Sequence, residues 1–288
     1  MPGEPLLRNH RGNHIVKYEL LGPLRVTEGH RHASISAQKV TVVLAALLIR
    51  ADQVVGLDQL IGEIWGQHPP RRATAGLHVY ISQLRKFLRR HGAAERAIVT
   101  RPPGYLLRLG ADETDHRRFL ALVERGKTHA AERRHDRAIA RFEEAAGLWR
   151  GPALGDLRGG PIIEGFTTWL AETRLECLEM LSEAKLATGR HRELIGPLFS
   201  LAAEHPLREP IYRQLMLALY RSDRQADALR VYQTVRRTLD EELGLQPCRA
   251  LQDLHQAVLA ADVRLDRYAP ADVRLDRYAA EPVRAATE

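Results

Sequence analysis

Residues 71–101 collect hydrogen-bonding and cationic side chains at spacings that suit contact with double-stranded DNA. At 100° per residue, Leu77, Ile81, Leu84 and Leu88 fall on one side of a helix. Arg72, Ala75, His78, Val79, Ser82, Gln83, Lys86, Arg89 and Arg90 fall on the other. One apolar stripe opposite a small-polar-to-basic face suits the major groove. There Ser82, Gln83 and His78 can exchange hydrogen bonds with base edges, and Val79 suits a thymine methyl. Lys86, and Arg85 on the flank, suit phosphate or guanine. Arg71, Arg72 and Thr74 stand at the helix start, where backbone N–H groups also favour phosphate. Thr100 and Arg101 precede Pro102-Pro103-Gly104 and suit the adjacent minor groove or backbone. Tyr105 reads as a core ring beneath that turn. Taken alone, the helix face also reads as solvated basic surface. The turn and the charge distribution weigh toward nucleic acid.

No comparable constellation points to catalysis. The chain contains no G-x-x-x-x-G-K-[ST], no G-x-S-x-G and no H-E-x-x-H. The glycines of Gly151-Pro152-Ala153-Leu154-Gly155 and Gly159-Gly160 read as a loop between helices, not a phosphate cradle. Thirteen histidines are present, but His30-x-His32 lacks a second Cys/His pair. No catalytic residue, cofactor or metal site is expected. Cys177 and Cys248 form no motif and read as free thiols of a reducing compartment. The longest apolar run, Val42 to Ile49, is far short of the roughly 20 residues of a membrane span. MPGEPLLRNHRG lacks a secretory core, so a cytoplasmic location is expected.

Elements that position the polar face can be read on either side of it. Residues 1–14 read as a loose tail. Residues 15–36 alternate weakly around Gly22-Pro23 and Glu28-Gly29, which suits short strands. Val40, Val43, Leu44, Leu47 and Leu48 give a helical stripe with Ser36 as N-cap. Leu57, Leu60, Ile61, Ile64 and Trp65 give a second, ended by Gly66. Ile98–Arg101 and Tyr105–Leu109 flank the proline turn as a hairpin. From Asp112 on the pattern is helical. Ile139, Phe142, Ala146 and Trp149 form one stripe. Arg190-His191-Arg192-Glu193-Leu194-Ile195 realigns with Arg224-Gln225-Ala226-Asp227-Ala228-Leu229 at a 34-residue offset. That is the tetratricopeptide period. An earlier copy begins at Arg134. Of the formal +7 charge, residues 1–110 carry 16 basic and 7 acidic side chains, and residues 111–288 carry 27 and 29. The basicity therefore belongs to the first part, as expected of a polyanion reader. The expected division is a tail at 1–14, a winged helix-turn-helix at 15–110, an all-α tetratricopeptide-like domain at 111–260, and a tail at 261–288. In that last tail ADVRLDRYA occurs twice.

WGQHPPRRATAGLHVYISQLRKFL followed by IVTRPPGYLLRL resembles the DNA-binding domain of the Streptomyces antibiotic regulatory protein family, which is similar to that of winged-helix response regulators. LWRGPALGDL, HPLREPIYRQLMLALYRSDRQADAL and YQTVRRTLDEELGLQP resemble the same family's bacterial transcriptional activation domain. The resemblance covers about residues 15–260. It implies a mainly α chain, with an α+β winged helix-turn-helix of response-regulator type ahead of helical repeats. It further implies activation of a secondary-metabolite gene cluster from direct repeats in DNA. A second protomer would lie side by side with the first. RNA polymerase would be contacted through its sigma factor and through the C-terminal domain of its alpha chain. Many relatives carry a basic residue where Gln83 stands, so the bases read here differ. In the first helix only Lys39 remains as a phosphate contact. An adaptor whose basic domain binds an acidic protein is the other class the sequence allows.

Overall fold

The computed structural model describes residues 15–93 and 97–267. The predicted tail 1–14 and the second copy of the repeated nonapeptide lie outside them. Contacts divide the chain into two compact units: 1–125 with 143–177, and 126–142 with 178–288. The cut does not fall at residue 110, and the first unit takes in residues well beyond the winged-helix segment.

In the first unit, β1 (Val16–Glu19), β2 (Arg25–Glu28) and β3 (Arg31–Ala33) form an antiparallel meander. Next come α1 (Gln38–Ile49), β4 (Val54–Gly56), α2 (Leu57–Trp65), α3 (Ala73–Arg90), β5 (Ile98–Arg101) and β6 (Gly104–Leu107). Helix α1 buries Val40 and every residue from Val42 to Leu48, because α2, α3 and β6 all pack against it. Its N-cap is Ala37, with no side-chain cap, so the expected Ser36 cap does not form. Instead the Thr41 hydroxyl donates to the Ile35 and Ala37 carbonyls, at 3.2 Å each. As expected, α2 ends at Gly66, whose φ of 60° suits a residue without Cβ. His32 lies on β3 with its Nδ1 3.0 Å from the Thr27 hydroxyl.

Two strands had no sequence signal. β4 pairs antiparallel with β6 and so makes the hairpin a three-stranded sheet. Gly104 faces Gly56 there, and a Cβ on it would collide with the Val55 carbonyl. β7 (Glu113–Thr114) adds in parallel to β1. Beside it, Asp112 accepts from the Val16 N–H (3.0 Å), and Asp115 accepts from the Leu20 and Leu21 N–H groups (2.7 and 3.0 Å). Burial raises the Asp115 pKa, against the lowering pull of those two hydrogen bonds and of Arg150. The 147–160 loop returns to the same sheet: the Arg150 and Leu154 N–H groups donate to the Leu21 and Leu20 carbonyls. The predicted stripe through Trp149 is cut short because α5 (His135–Ala146) stops ahead of Gly147. The Trp149 ring then meets Phe119 edge-on at 5.4 Å and lies under the Arg174 guanidinium.

A further tie within this unit is made by Glu63 on α2, only 4% exposed. Its carboxylate accepts from the N–H groups of Gly160 (3.0 Å), Ile162 (2.6 Å) and Ile163 (3.3 Å). These open α6 (Pro161–Ala187), the 27-residue helix. The first N–H groups of a helix have no partner within it, and a carboxylate there also meets the positive end of the helix dipole. Glycine at 160 allows this close approach, since a Cβ there would lie 3.0 Å from the Glu63 Cα and the Gly62 carbonyl.

The second unit is helical. It holds the end of α4 (Asp115–Ala131), most of α5, the end of α6, a 3-10 turn (His191–Leu194), α7 (Ile195–Glu204), α8 (Glu209–Tyr220), α9 (Gln225–Leu243), α10 (Arg249–Leu259) and the short α11 (Arg264–Arg267). Helix α8 lies at the centre, buried from Gln214 to Leu219 between α7, α9 and α10. The 34-residue offset reappears as one turn built twice. Gly189 (φ 76°) and Asp223 (φ 61°) close a helix. The next N–H, of Arg190 or Arg224, reaches back to the carbonyl of Lys185 or Leu219, which is the Schellman arrangement. Each arginine then clasps the acid three residues on, Glu193 or Asp227. Arg133 (φ 57°) and the Arg134 N–H repeat the backbone turn. The copies diverge after that. Arg224 leads straight into α9, while Arg190 leads into the 3-10 turn, since Pro197 has no N–H for the Glu193 carbonyl.

Two expectations concern stability. Glu63→Ala removes the acceptor of three helix-start N–H groups and should cost about 1–3 kcal/mol in urea unfolding of the full chain. Glu63→Gln should recover part of that, and a Glu63→Ala chain of wild-type stability would contradict the role given to this carboxylate. The second concerns His116 on α4. Burial, with the Arg117 charge beside it, lowers its pKa from 6.5 to about 4. The unfolded chain therefore takes up a proton between pH 6.5 and 4 that the folded chain refuses. The contribution is complete above pH 6.5 and is lost as pH falls toward 4, by about 3 kcal/mol. His116→Gln should flatten the unfolding free energy across that window; parallel profiles would count against it.

Candidate nucleic-acid interface

Helix α3 buries Ala73, Leu77, Ile81, Leu84 and Leu88, the predicted stripe plus one alanine. The opposite face is open. Arg71, Arg72, Thr74, His78, Val79, Ser82, Gln83, Lys86 and Arg89 are all exposed, as are Thr100 and Arg101 on β5. Val79 is 53% exposed, an apolar side chain set among hydrogen-bonding ones. The α3 start carries no side-chain cap and no acidic residue in its first turn, and Arg71 and Arg72 precede it. Neither a side-chain cap nor an acid in its own first turn offsets its positive dipole end, which suits an anion. Arg89 and Arg90 occupy the last turn. A run of hydrogen-bonding side chains is therefore bracketed by cations at both ends.

The helix is held in pitch by two groups of rings. Trp65 at the end of α2 stacks on Tyr80 at 5.9 Å, and Lys39 of α1 lies over the same indole at 5.1 Å. Gly76 leaves room for the Trp65 ring, which sits 3.4 Å from where its Cβ would be. On the other side Tyr105 is buried under the wing, as predicted, with His78 edge-on at 6.5 Å.

Arg85 differs from the other predicted contacts. It is half-buried, and its Nε donates to the Ile98 carbonyl at 3.2 Å while Nη2 donates to the Thr100 hydroxyl at 2.9 Å. Its guanidinium lies 5.8 Å from the centre of the Tyr105 ring. Arg85 and Thr100, predicted as separate DNA contacts, are bound to each other and fasten α3 to the wing. The residues that sequence reasoning missed are these positioning groups: Glu63, Trp65 and Tyr80, with Arg85 in its clamping role. Only the ring pair had a sequence trace, since Trp65 lies on the predicted α2 stripe.

A three-helix unit, an uncapped recognition helix and a three-stranded wing define a winged-helix DNA-binding regulator joined to a helical repeat domain. The description "Transcriptional regulatory protein, C terminal" matches residues 35–107, and "Bacterial transcriptional activator domain" matches residues 114–259. The regulatory protein DnrI of Streptomyces peucetius is 37% identical over 261 residues, 88% of this chain and 96% of its own length. RedD of Streptomyces coelicolor is 38% identical over 263 residues, 90% of this chain and 74% of its own. EmbR of Mycobacterium tuberculosis is 39% identical over 245 residues. The chain spans 63% of EmbR's length. The solved structure of that EmbR in complex with a low-affinity phosphopeptide superposes with a TM-score of 0.82 at 36% identity, covering 90% of this chain and 70% of the other. The chain belongs to the Streptomyces antibiotic regulatory protein family of transcriptional activators.

Reading and positioning should separate by mutation. Ser82→Ala or Gln83→Ala should relax preference at one or two base pairs, by about 1–3 kcal/mol for each lost base contact. Arg85→Ala should weaken binding to every sequence alike by loosening the wing, with the preferred site unchanged. Binding titrations against a randomised site measure both. A shifted site preference in Arg85→Ala would return that residue to the base-reading set.

Proposed function

We propose that the chain is a sequence-specific DNA-binding activator of a secondary-metabolite biosynthetic cluster, acting in the cytoplasm. The observation that carries this reading is the exposed face of α3, where His78, Val79, Ser82 and Gln83 lie between basic ends beside a wing that presents Arg101. Base edges are read by hydrogen bonds and apolar contacts, while cations at the margins neutralise phosphates and set register. In this reading residues 15–110 read DNA and residues 111–260 carry activation. Names of relatives such as DnrI and RedD, both regulators from Streptomyces, accord with it.

The operator is a direct repeat, and two protomers lie side by side on one face of the duplex. The helical repeats then contact RNA polymerase through its sigma factor and through the C-terminal domain of its alpha chain. No helix among the described residues is long and apolar enough to cross a membrane, which accords with action on chromosomal DNA.

Side-by-side protomers require half-sites spaced by about one helical turn, roughly 10–10.5 base pairs. Inserting about five base pairs between the repeats turns one protomer to the opposite face. It should abolish reporter activation and split the footprint into two independent sites. A full-turn insert should restore activation only in part, because it adds about 34–36 Å of separation. Activation indifferent to the half-turn insert would point to independent monomers.

A further inference from the structure

Within the first unit, residues of α1, α4 and α6 line an open, solvent-facing cavity of about 440 Å³. Small-molecule sites are commonly about 300–1,000 Å³, largely apolar, with a few convergent polar groups. An aromatic row crosses this one. The His116 imidazole meets Phe166 edge-on at 5.3 Å, and Phe166 meets Trp169 at 6.0 Å. Trp169 is 48% exposed, a large apolar ring left half in water at the mouth. His116 is only 6% exposed, and its Nδ1 has no hydrogen-bond partner.

The charge at the cavity has one sign. Arg50 ends α1 and Arg117 lies on α4, and no acidic residue lines the space. Arg117 is 3.6 Å from Asp52 in an exposed pair. Arg50 has no ion pair or side-chain hydrogen bond among the described residues. The α6 N-terminus is not part of the attraction, because Glu63 already occupies its N–H groups. Gly165 lines the space, and nothing lies within 4 Å of where its Cβ would be. The opening is a single concavity, while a stable protein interface buries well over about 1,000 Å².

We propose that this cavity binds a small, flat aromatic molecule carrying one anionic group. The rings of Phe166 and Trp169 take its apolar face, and Arg50 with Arg117 takes the charge. Helix α1 packs on both α2 and α3, so occupancy bears on the pitch of α3. That coupling rests on the DNA-reading assignment, whereas the binding site itself does not.

The test uses the full-length chain and the probe 8-anilinonaphthalene-1-sulfonate, read by probe fluorescence and by energy transfer from tryptophan. Saturable binding of one probe per chain is expected. Gly165→Leu enters space that is open around the Cβ position and favours helix, so it should fold normally while weakening the probe at least ten-fold. Arg50→Gln should weaken it several-fold. The uncharged analogue N-phenyl-1-naphthylamine should bind the wild type several-fold more weakly than the sulfonate. Any of three results overturns the proposal: no saturable binding, unchanged binding in Gly165→Leu, or equal binding of charged and uncharged probes. DNA titration with and without the probe tests the coupling separately. A chain that binds the probe but no specific DNA would overturn the proposed function and leave the cavity assignment standing.

Discussion

Glu63 sets its carboxylate against the first N–H groups of α6, and much of the first unit depends on that contact. The residue sits on α2, immediately ahead of the recognition helix, and is almost wholly buried. A buried carboxylate without partners would be strongly destabilising, and so would the unpaired N–H groups of a buried helix start. Each need is met by the other. The contact fixes where α6 begins, and Gly160 keeps the backbone near enough for it to form. Asp115 repeats the device at the other sheet, taking the Leu20 and Leu21 N–H groups where β1 ends. Two carboxylates thus tie the elements ahead of residue 110 to those after it within one unit. A hydrophobic face can slide, whereas a carboxylate shared by two or three N–H groups has one register.

The recognition helix inherits this rigidity. Its N-terminal half leans on the Trp65–Tyr80 stack and its middle on Arg85, which hydrogen-bonds to the wing. Base reading needs side chains held to within a fraction of an ångström, so a helix that reads must be fixed by groups that do not. The division of labour along α3 follows. Residues on the outward face stay exposed and, among the described residues, make no side-chain hydrogen bond or ion pair. Those on the flank are consumed by packing and hydrogen bonds. The α3 start, with no side-chain cap, contrasts with the α6 start, whose N–H groups the Glu63 carboxylate takes.

The second unit is built by repetition. One turn, with a left-handed residue followed by an arginine that clasps an acid three positions on, occurs at 189–193 and at 223–227. Arg221 adds a cross-tie by donating to the Leu186 and Leu265 carbonyls. Helices in such a stack cannot bury their faces alone, and α8 shows why: it is buried along most of its length by its neighbours.

What the sequence determined by itself was whatever repeats over short distances. The α3 stripe from Leu77 to Leu88, the polar face opposite it, the wing around Pro102-Pro103-Gly104 and the 34-residue turn were all legible, because helical period, turn chemistry and repeat period are local properties of a chain. Local signals also misled where a neighbour intervened. Ser36 looked like an N-cap, but Ala37 holds that position with no side-chain cap, Trp149 continued a stripe that Gly147 ends, and the hydrogen bonds from Arg85 to Ile98 and Thr100 had no local signal. Tertiary structure alone decided the rest. β4 and β7 are too short to show an alternation. Glu63 lies off the apolar stripe of α2 and resembles any solvated glutamate, yet its three partners stand 97 to 100 residues away. Asp115 reaches 94 and 95 residues back. Periodicity carries no information at that range, because a hydrogen bond between distant residues depends on which surfaces meet after the chain has folded.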